Sequence, residues 1–189
     1  MNLPNKLTVS RLFVTVLFVF CLTAQFPYSR SLALLFFAVA SITDYLDGQI
    51  ARRHQLITDF GKLMDPLADK ILTAAAFICL IPLHAIPAWV VIIIIAREFL
   101  ITGLRLLASN NGVVLPAEKL GKHKTLWQII TIVFFLLLLT LKEWLPSQPG
   151  WMPALWTTGG GLLITVTTIL TVYSGFGYLW KNRCLLTAD

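Results

Sequence analysis

Residues 123–142 read His123-Lys-Thr-Leu-Trp-Gln-Ile-Ile-Thr-Ile-Val-Phe-Phe-Leu-Leu-Leu-Leu-Thr-Leu-Lys142, with no charge between Lys124 and Lys142. One helix needs roughly 20 mostly apolar residues to cross a bilayer, and this stretch supplies them. Similar runs recur near 12–28, 32–51, 66–83, 86–107 and 155–179, separated by short connections. The composition agrees: 57% of the residues are apolar and 13% charged, too little polar surface to cover a soluble core. The expected fold class is therefore all-α. It is a single domain over residues 1–189, a polytopic membrane protein with six transmembrane helices.

Working outward, the opening Leu3–Arg11 mixes Pro4, Asn5, Lys6 and Thr8 with apolar residues, which predicts a short N-terminal interfacial helix in the headgroup region. The apolar run after Arg11 is long and lacks a clear small-residue cleavage site, so it reads as an anchor and not as a removed signal. Pro66 fits the first turn of the third helix, where a missing N–H costs nothing. Pro82 and Pro87 bracket a tight turn into the fourth. The Pro146–Pro153 stretch, with Trp144, Trp151 and Trp156 around it, predicts an interfacial loop and aromatic belt. Cys21, Cys79 and Cys184 have no ligand-like spacing and read as core or lipid-facing residues.

A net charge of +6 is compatible with nucleic-acid binding, but its distribution argues against that class of partner. Twelve of the fifteen basic residues fall at one set of helix ends, only Arg30 and Lys142 at the other, and Arg97 lies inside a span. The positive-inside rule then places both termini and the heavily charged loops in the cytoplasm, as six spans also require. The expected localisation is the cytoplasmic (inner) membrane.

Five of the nine acidic residues fall between Asp44 and Asp69. Asp44 and Asp47 are three apart near the end of the second span, and Asp65 and Asp69 four apart at the start of the third, so each pair shares a helix face. Four carboxylates in a partly desolvated place repel one another and call for cations. All-oxygen donors suit hard divalent ions, Mg²⁺ or Mn²⁺, and four of them can bridge two ions for phosphoryl displacement. Gly48 and Gly61 would let a bulky group approach the backbone, and Arg52 offers a donor fork to phosphate. Asp59 reads equally as a solvated loop residue or a ribose or cytosine contact.

Asp44-Tyr-Leu-Asp47-Gly48-Gln-Ile-Ala51-Arg52, eight residues, Gly61, three residues, Asp65, three residues and Asp69 resemble in full the signature of the CDP-alcohol phosphatidyltransferases. The resemblance extends over all six spans. It implies a homodimer with a cytoplasm-facing cavity for CDP-diacylglycerol and two metal ions on Asp44, Asp47, Asp65 and Asp69. It further implies CDP contacts from Asp44, Asp47, Gly48, Arg52, Gly61 and Asp65, with Asp69 as general base on the acceptor hydroxyl. No Ser–His or Cys–His arrangement competes as a nucleophile, so direct displacement is expected.

Arg97 and Glu98 sit inside an apolar run, where charge is costly and usually functional. Glu98 and Arg105 are seven apart and share a helix face, with Arg97 pointing elsewhere. Lys122 and Lys124 lie on nearly opposite faces, so one of the two faces the cavity. Ala96-Arg97-Glu98 and Gly121-Lys122-His123-Lys124-Thr125 are similar to segments of phosphatidylglycerophosphate synthases, which implies sn-glycerol 3-phosphate as acceptor. The residues expected on its phosphate are Arg105 and Lys124, then Arg97 and Lys122. Structural readings stand beside these: Arg97–Glu98 as a charge pair between spans, and the lysines as headgroup anchors. Inositol phosphate, serine and phosphatidylglycerol are alternative acceptors. A prenyltransferase would place its acids in two separated loops, and a divalent-cation transporter would spread them along a path.

Overall fold

A computed structural model describes residues 3–54, 59–110, 119–145, 147 and 149–183, and among these every regular element is helical. The helices are α1 (Leu3–Thr23), α2 (Ser29–His54), α3 (Asp59–Leu80), α4 (Ala88–Asn110), α5 (Lys119–Trp144), the short α6 (Trp151–Ala154) and α7 (Gly160–Lys181). A π-helical turn, Leu155–Gly159, joins α6 to α7, so Trp151–Lys181 forms one rod of 31 residues. Gly121–Trp144 and Trp151–Lys181 are each long and apolar enough to cross a membrane. Shorter apolar helical stretches occur at Val9–Thr23, Ser29–Thr43 and Lys70–Leu80.

The bundle is built on two sets of contacts. α1 packs on α2 and α3, while α7 packs on α4 and α5, and α2 against α5 joins the two sets. Phe18, Phe37, Phe77, Val90 and Phe135 meet in the shared core, each at most 1% exposed. Small residues allow close approach, as helix association in lipid requires. A Cβ on Gly160 would lie 2.7 Å from the Phe135 ring, so only glycine lets α7 seat against α5 there. The outer faces carry large apolar side chains, among them Phe13, Ile92, Phe99, Leu162 and Phe176, each at least 60% exposed. A soluble monomer does not present such faces all round; a chain solvated by lipid does. This is a membrane protein.

Several expected boundaries move. No break separates an interfacial helix at Leu3–Arg11 from the first span: α1 runs continuously from Leu3 to Thr23. Arg11, read as a boundary residue, is 2% exposed inside the bundle. The first helix then stops at Thr23, short of residue 28, because the chain turns through Tyr28 at φ 64° into α2. α3 starts at Asp59, so Pro66 lies in the helix interior and not in its first turn. A single missing N–H removes one intrahelical bond and leaves the neighbouring ones to carry the helix. Pro82 and Pro87 do bracket the turn into α4. His84 closes that turn at φ 53°, donating its N–H to the Ile81 carbonyl at 3.0 Å. The Pro146–Pro153 loop is shorter than expected, since Trp151, Pro153 and Trp156 are already helical; a proline in a first turn loses no bond.

Candidate active site

Asp44, Asp47, Gly48 and Arg52 all lie on the C-terminal half of α2, which continues to His54, and Gly61, Asp65 and Asp69 on the N-terminal half of α3. Only four residues connect His54 to Asp59, so the backbone brings both acid pairs to one end of the bundle. Asp59 opens α3 instead of occupying a loop. Within each helix the spacing keeps the acids on a common face. The side chains of residues 44–69, and with them the expected metal and CDP contacts, lie outside the described residues.

The second group is described in atomic detail. Lys124 of α5 is 3% exposed, and its Nζ forms an ion pair with Glu98 Oε1 of α4. Arg97 places Nη1 3.5 Å from the same carboxylate oxygen, and its Nη2 donates to Ser174 Oγ of α7 at 3.3 Å. Arg97 therefore does not point away from Glu98. A guanidinium on a long stem reaches across its own helix, and the missing side chain at Gly175 gives it room. A Cβ there would stand 2.9 Å from Arg97 Cγ.

One turn along α7 from Ser174, Tyr178 accepts a hydrogen bond on its hydroxyl from Arg105 Nε at 3.1 Å, and the guanidinium lies over its ring at 5.4 Å. Arg105 is exposed at the rim of this group, and Lys122 is exposed on the far side of α5. Of the two lysines, Lys124 is the one turned inward. Arg97, Glu98 and Lys124 bring two cations and a carboxylate together among apolar helices, where charge is usually functional.

Ser174, Gly175 and Tyr178 were not singled out by sequence reasoning. Their signal was present: Thr167, Thr171, Ser174 and Tyr178 follow one another at helical spacing along an otherwise apolar helix. On α5 the matching polar row is Lys124, Gln128 and Thr131. The two rows face each other, since the Thr131 and Thr167 hydroxyls bond at 2.8 Å.

A cavity of about 450 Å³ opens elsewhere, lined by Phe26, Arg30, Lys142 and Glu143 between the start of α2 and the end of α5. The carboxylate in it is committed. Glu143 accepts from the backbone N–H groups of Arg30 and Ser31 at 3.2 and 3.0 Å and from Ser31 Oγ at 2.8 Å. It caps the N-terminus of α2, at the end of α5 away from Lys124.

Comparison with known proteins brings both groups under one heading. Residues 1–173, which contain the acidic stretch and the Arg97–Lys124 group, match the family CDP-alcohol phosphatidyltransferase. Three curated relatives carry the name CDP-diacylglycerol–glycerol-3-phosphate 3-phosphatidyltransferase. The one from Bacillus subtilis (strain 168) is 42% identical, over 96% of this chain and 95% of its own. The one from Rickettsia bellii (strain RML369-C) is 34% identical, over 94% and 93%. The one from Mycoplasma pneumoniae (strain ATCC 29342 / M129 / Subtype 1) is 34% identical, over 75% and 71%. A helical membrane bundle with this acidic signature, matched over nearly its whole length, is a transferase belonging to the CDP-alcohol phosphatidyltransferase family.

Proposed function

We propose that the chain transfers the phosphatidyl group of CDP-diacylglycerol to sn-glycerol 3-phosphate, giving phosphatidylglycerophosphate and CMP. The observation that carries the acceptor is the group of half-buried Arg97 and Glu98 with buried Lys124, whose two cations suit an acceptor phosphate. The names of the relatives support the same choice. A neutral acceptor would make no use of that charge.

The donor binds at the adjoining ends of α2 and α3. Gly48 and Gly61 leave the backbone open to the diphosphate, and Arg52 supplies donors to it, with Asp44, Asp47 and Asp65 completing the CDP site. An all-carboxylate donor set on two adjoining helix ends fits hard divalent ions. Bound at Asp44, Asp47, Asp65 and Asp69, two Mg²⁺ or Mn²⁺ ions would supply charge stabilisation at the reacting phosphate and the departing CMP. Asp69 takes the proton from the acceptor hydroxyl as that oxygen forms its bond to the β-phosphorus. The bond from phosphorus to CMP breaks, and CMP leaves with the electron pair. Lys124 and Arg97 hold the acceptor's phosphate, Arg105 guides it at the rim, and Lys122 adds to the positive potential outside.

In this reading the helices form six spans, with both termini and the acidic helix ends in the cytoplasm, on the side rich in lysine and arginine. The working unit is a homodimer. The test is CMP release by the purified chain with CDP-diacylglycerol and each of sn-glycerol 3-phosphate, inositol phosphate, serine and phosphatidylglycerol. Release with glycerol 3-phosphate is expected. Release with another acceptor and none with glycerol 3-phosphate would overturn the assignment.

A further inference from the structure

Below the charged group, the seam between α5 and α7 contains two polar atoms with no partner among the described residues. Gln128 is 2% exposed and its Nε2 has no hydrogen-bond partner there; Thr171 is fully buried and its Oγ1 has none either. Their positions are fixed by their neighbours. Gln128 lies between Lys124, which meets Glu98, and Thr131, which meets Thr167. Thr171 lies between Thr167 and Ser174, which meets Arg97. Both residues therefore sit in the seam, one helical turn, about 5 Å, deeper than the charged group.

Thr171 is unusual among the threonines of this rod. In an apolar helix a threonine hydroxyl normally donates to the carbonyl four residues back. Thr165 and Thr168 do so, to Gly161 and Ile164 at 2.8 and 2.7 Å. Thr171 does not. An unpaired amide and an unpaired hydroxyl in a low-dielectric interior are each destabilising, so something polar belongs there.

Resting on the proposed reaction, we infer that Gln128 and Thr171 form a neutral subsite for the acceptor's non-reacting hydroxyl. The chemistry selects the ligand. An anion finds its partners one turn away at Arg97 and Lys124. The neutral pair offers a donor and a donor–acceptor, which match a hydroxyl that accepts one bond and donates another. A phosphorylated polyol carries both parts at this separation. A bound water alone is the competing occupant.

The experiment compares sn-glycerol 3-phosphate with 3-hydroxypropyl phosphate, which lacks only the middle hydroxyl, in the wild-type chain, Gln128→Leu and the near-isosteric Thr171→Val. A site that hydrogen-bonds a substrate hydroxyl rejects the analogue lacking it, so the wild type should prefer glycerol 3-phosphate by about a hundredfold in kcat/KM. Each variant should cut that preference to about tenfold or less, with KM for CDP-diacylglycerol unchanged. Variants that keep the wild-type preference would overturn the subsite and leave water as the occupant. If Gln128→Leu fails to fold, Thr171→Val decides alone. A wild-type chain that ignores glycerol 3-phosphate would overturn both the proposed reaction and this inference, whereas retained preference in the variants sinks only the latter.

Discussion

Near its C-terminus α5 carries Glu143, whose carboxylate gathers three donors from the start of α2, with Trp144 Nε1 donating to the same Ser31 hydroxyl at 2.9 Å. Near its N-terminus the same helix carries Lys124, which meets Glu98 beside Arg97. At one end charge is used up in holding two helices together. At the other two cations share one carboxylate, beside polar atoms of Gln128 and Thr171 that no described residue satisfies. Burial and an ion pair are therefore not enough to tell a structural group from a binding one; the unsatisfied polar atoms beside the second group are what separates them.

The comparison breaks most visibly if the acidic helix ends are disarmed. Asp69→Asn should lower turnover by roughly a thousandfold, the usual worth of a positioned general base, while CDP-diacylglycerol still binds. Single-turnover assays beside a lipid-binding titration check it, and unchanged turnover would remove Asp69 from the base role. Next comes Glu98→Gln, which takes the shared carboxylate away from half-buried Arg97 and buried Lys124. It should cost about 3 kcal/mol of stability, and added inorganic phosphate should restore part of the thermal midpoint. A midpoint insensitive to phosphate would mean that no anion completes the group.

Lys124→Met should reduce kcat/KM for glycerol 3-phosphate by about a hundredfold, since a partly desolvated charge-assisted contact is lost, with KM for CDP-diacylglycerol changed little. The smallest effect belongs to the structural end. Glu143→Gln keeps an acceptor for the α2 N–H groups but loses the charge, so it should cost about 1 kcal/mol in thermal unfolding and leave kcat/KM alone. A kinetic defect there would erase the distinction between the two ends.

Much of this was legible in the sequence. The long apolar runs marked the helices. The stretch from Asp44 to Asp69 resembled the family's signature, and its carboxylates at fixed helical intervals pointed to cations that hold them together. Arg97 and Glu98 were visible as charges where charge is costly, and Lys124 as one of two lysines of which one faces inward. What stayed hidden was their association. Periodicity assigned Arg97 to another face, but a long guanidinium and the space at Gly175 bring it back to Glu98. Gln128 and Thr171 look like ordinary polar residues of an apolar helix; only their missing partners distinguish them, and partners are a tertiary property. Helix ends were misplaced where tertiary turns, such as the one at Tyr28, override local pattern.

The central claim is that the α4–α5–α7 group grips the acceptor by its phosphate. It is tested most directly by CMP release with sn-glycerol 3-phosphate against free glycerol, in the wild-type chain and in the Arg97→Met/Lys124→Met double variant. The wild type should favour the phosphorylated acceptor by about a thousandfold or more, and the double variant by about tenfold or less. A double variant that keeps the full preference would contradict the account.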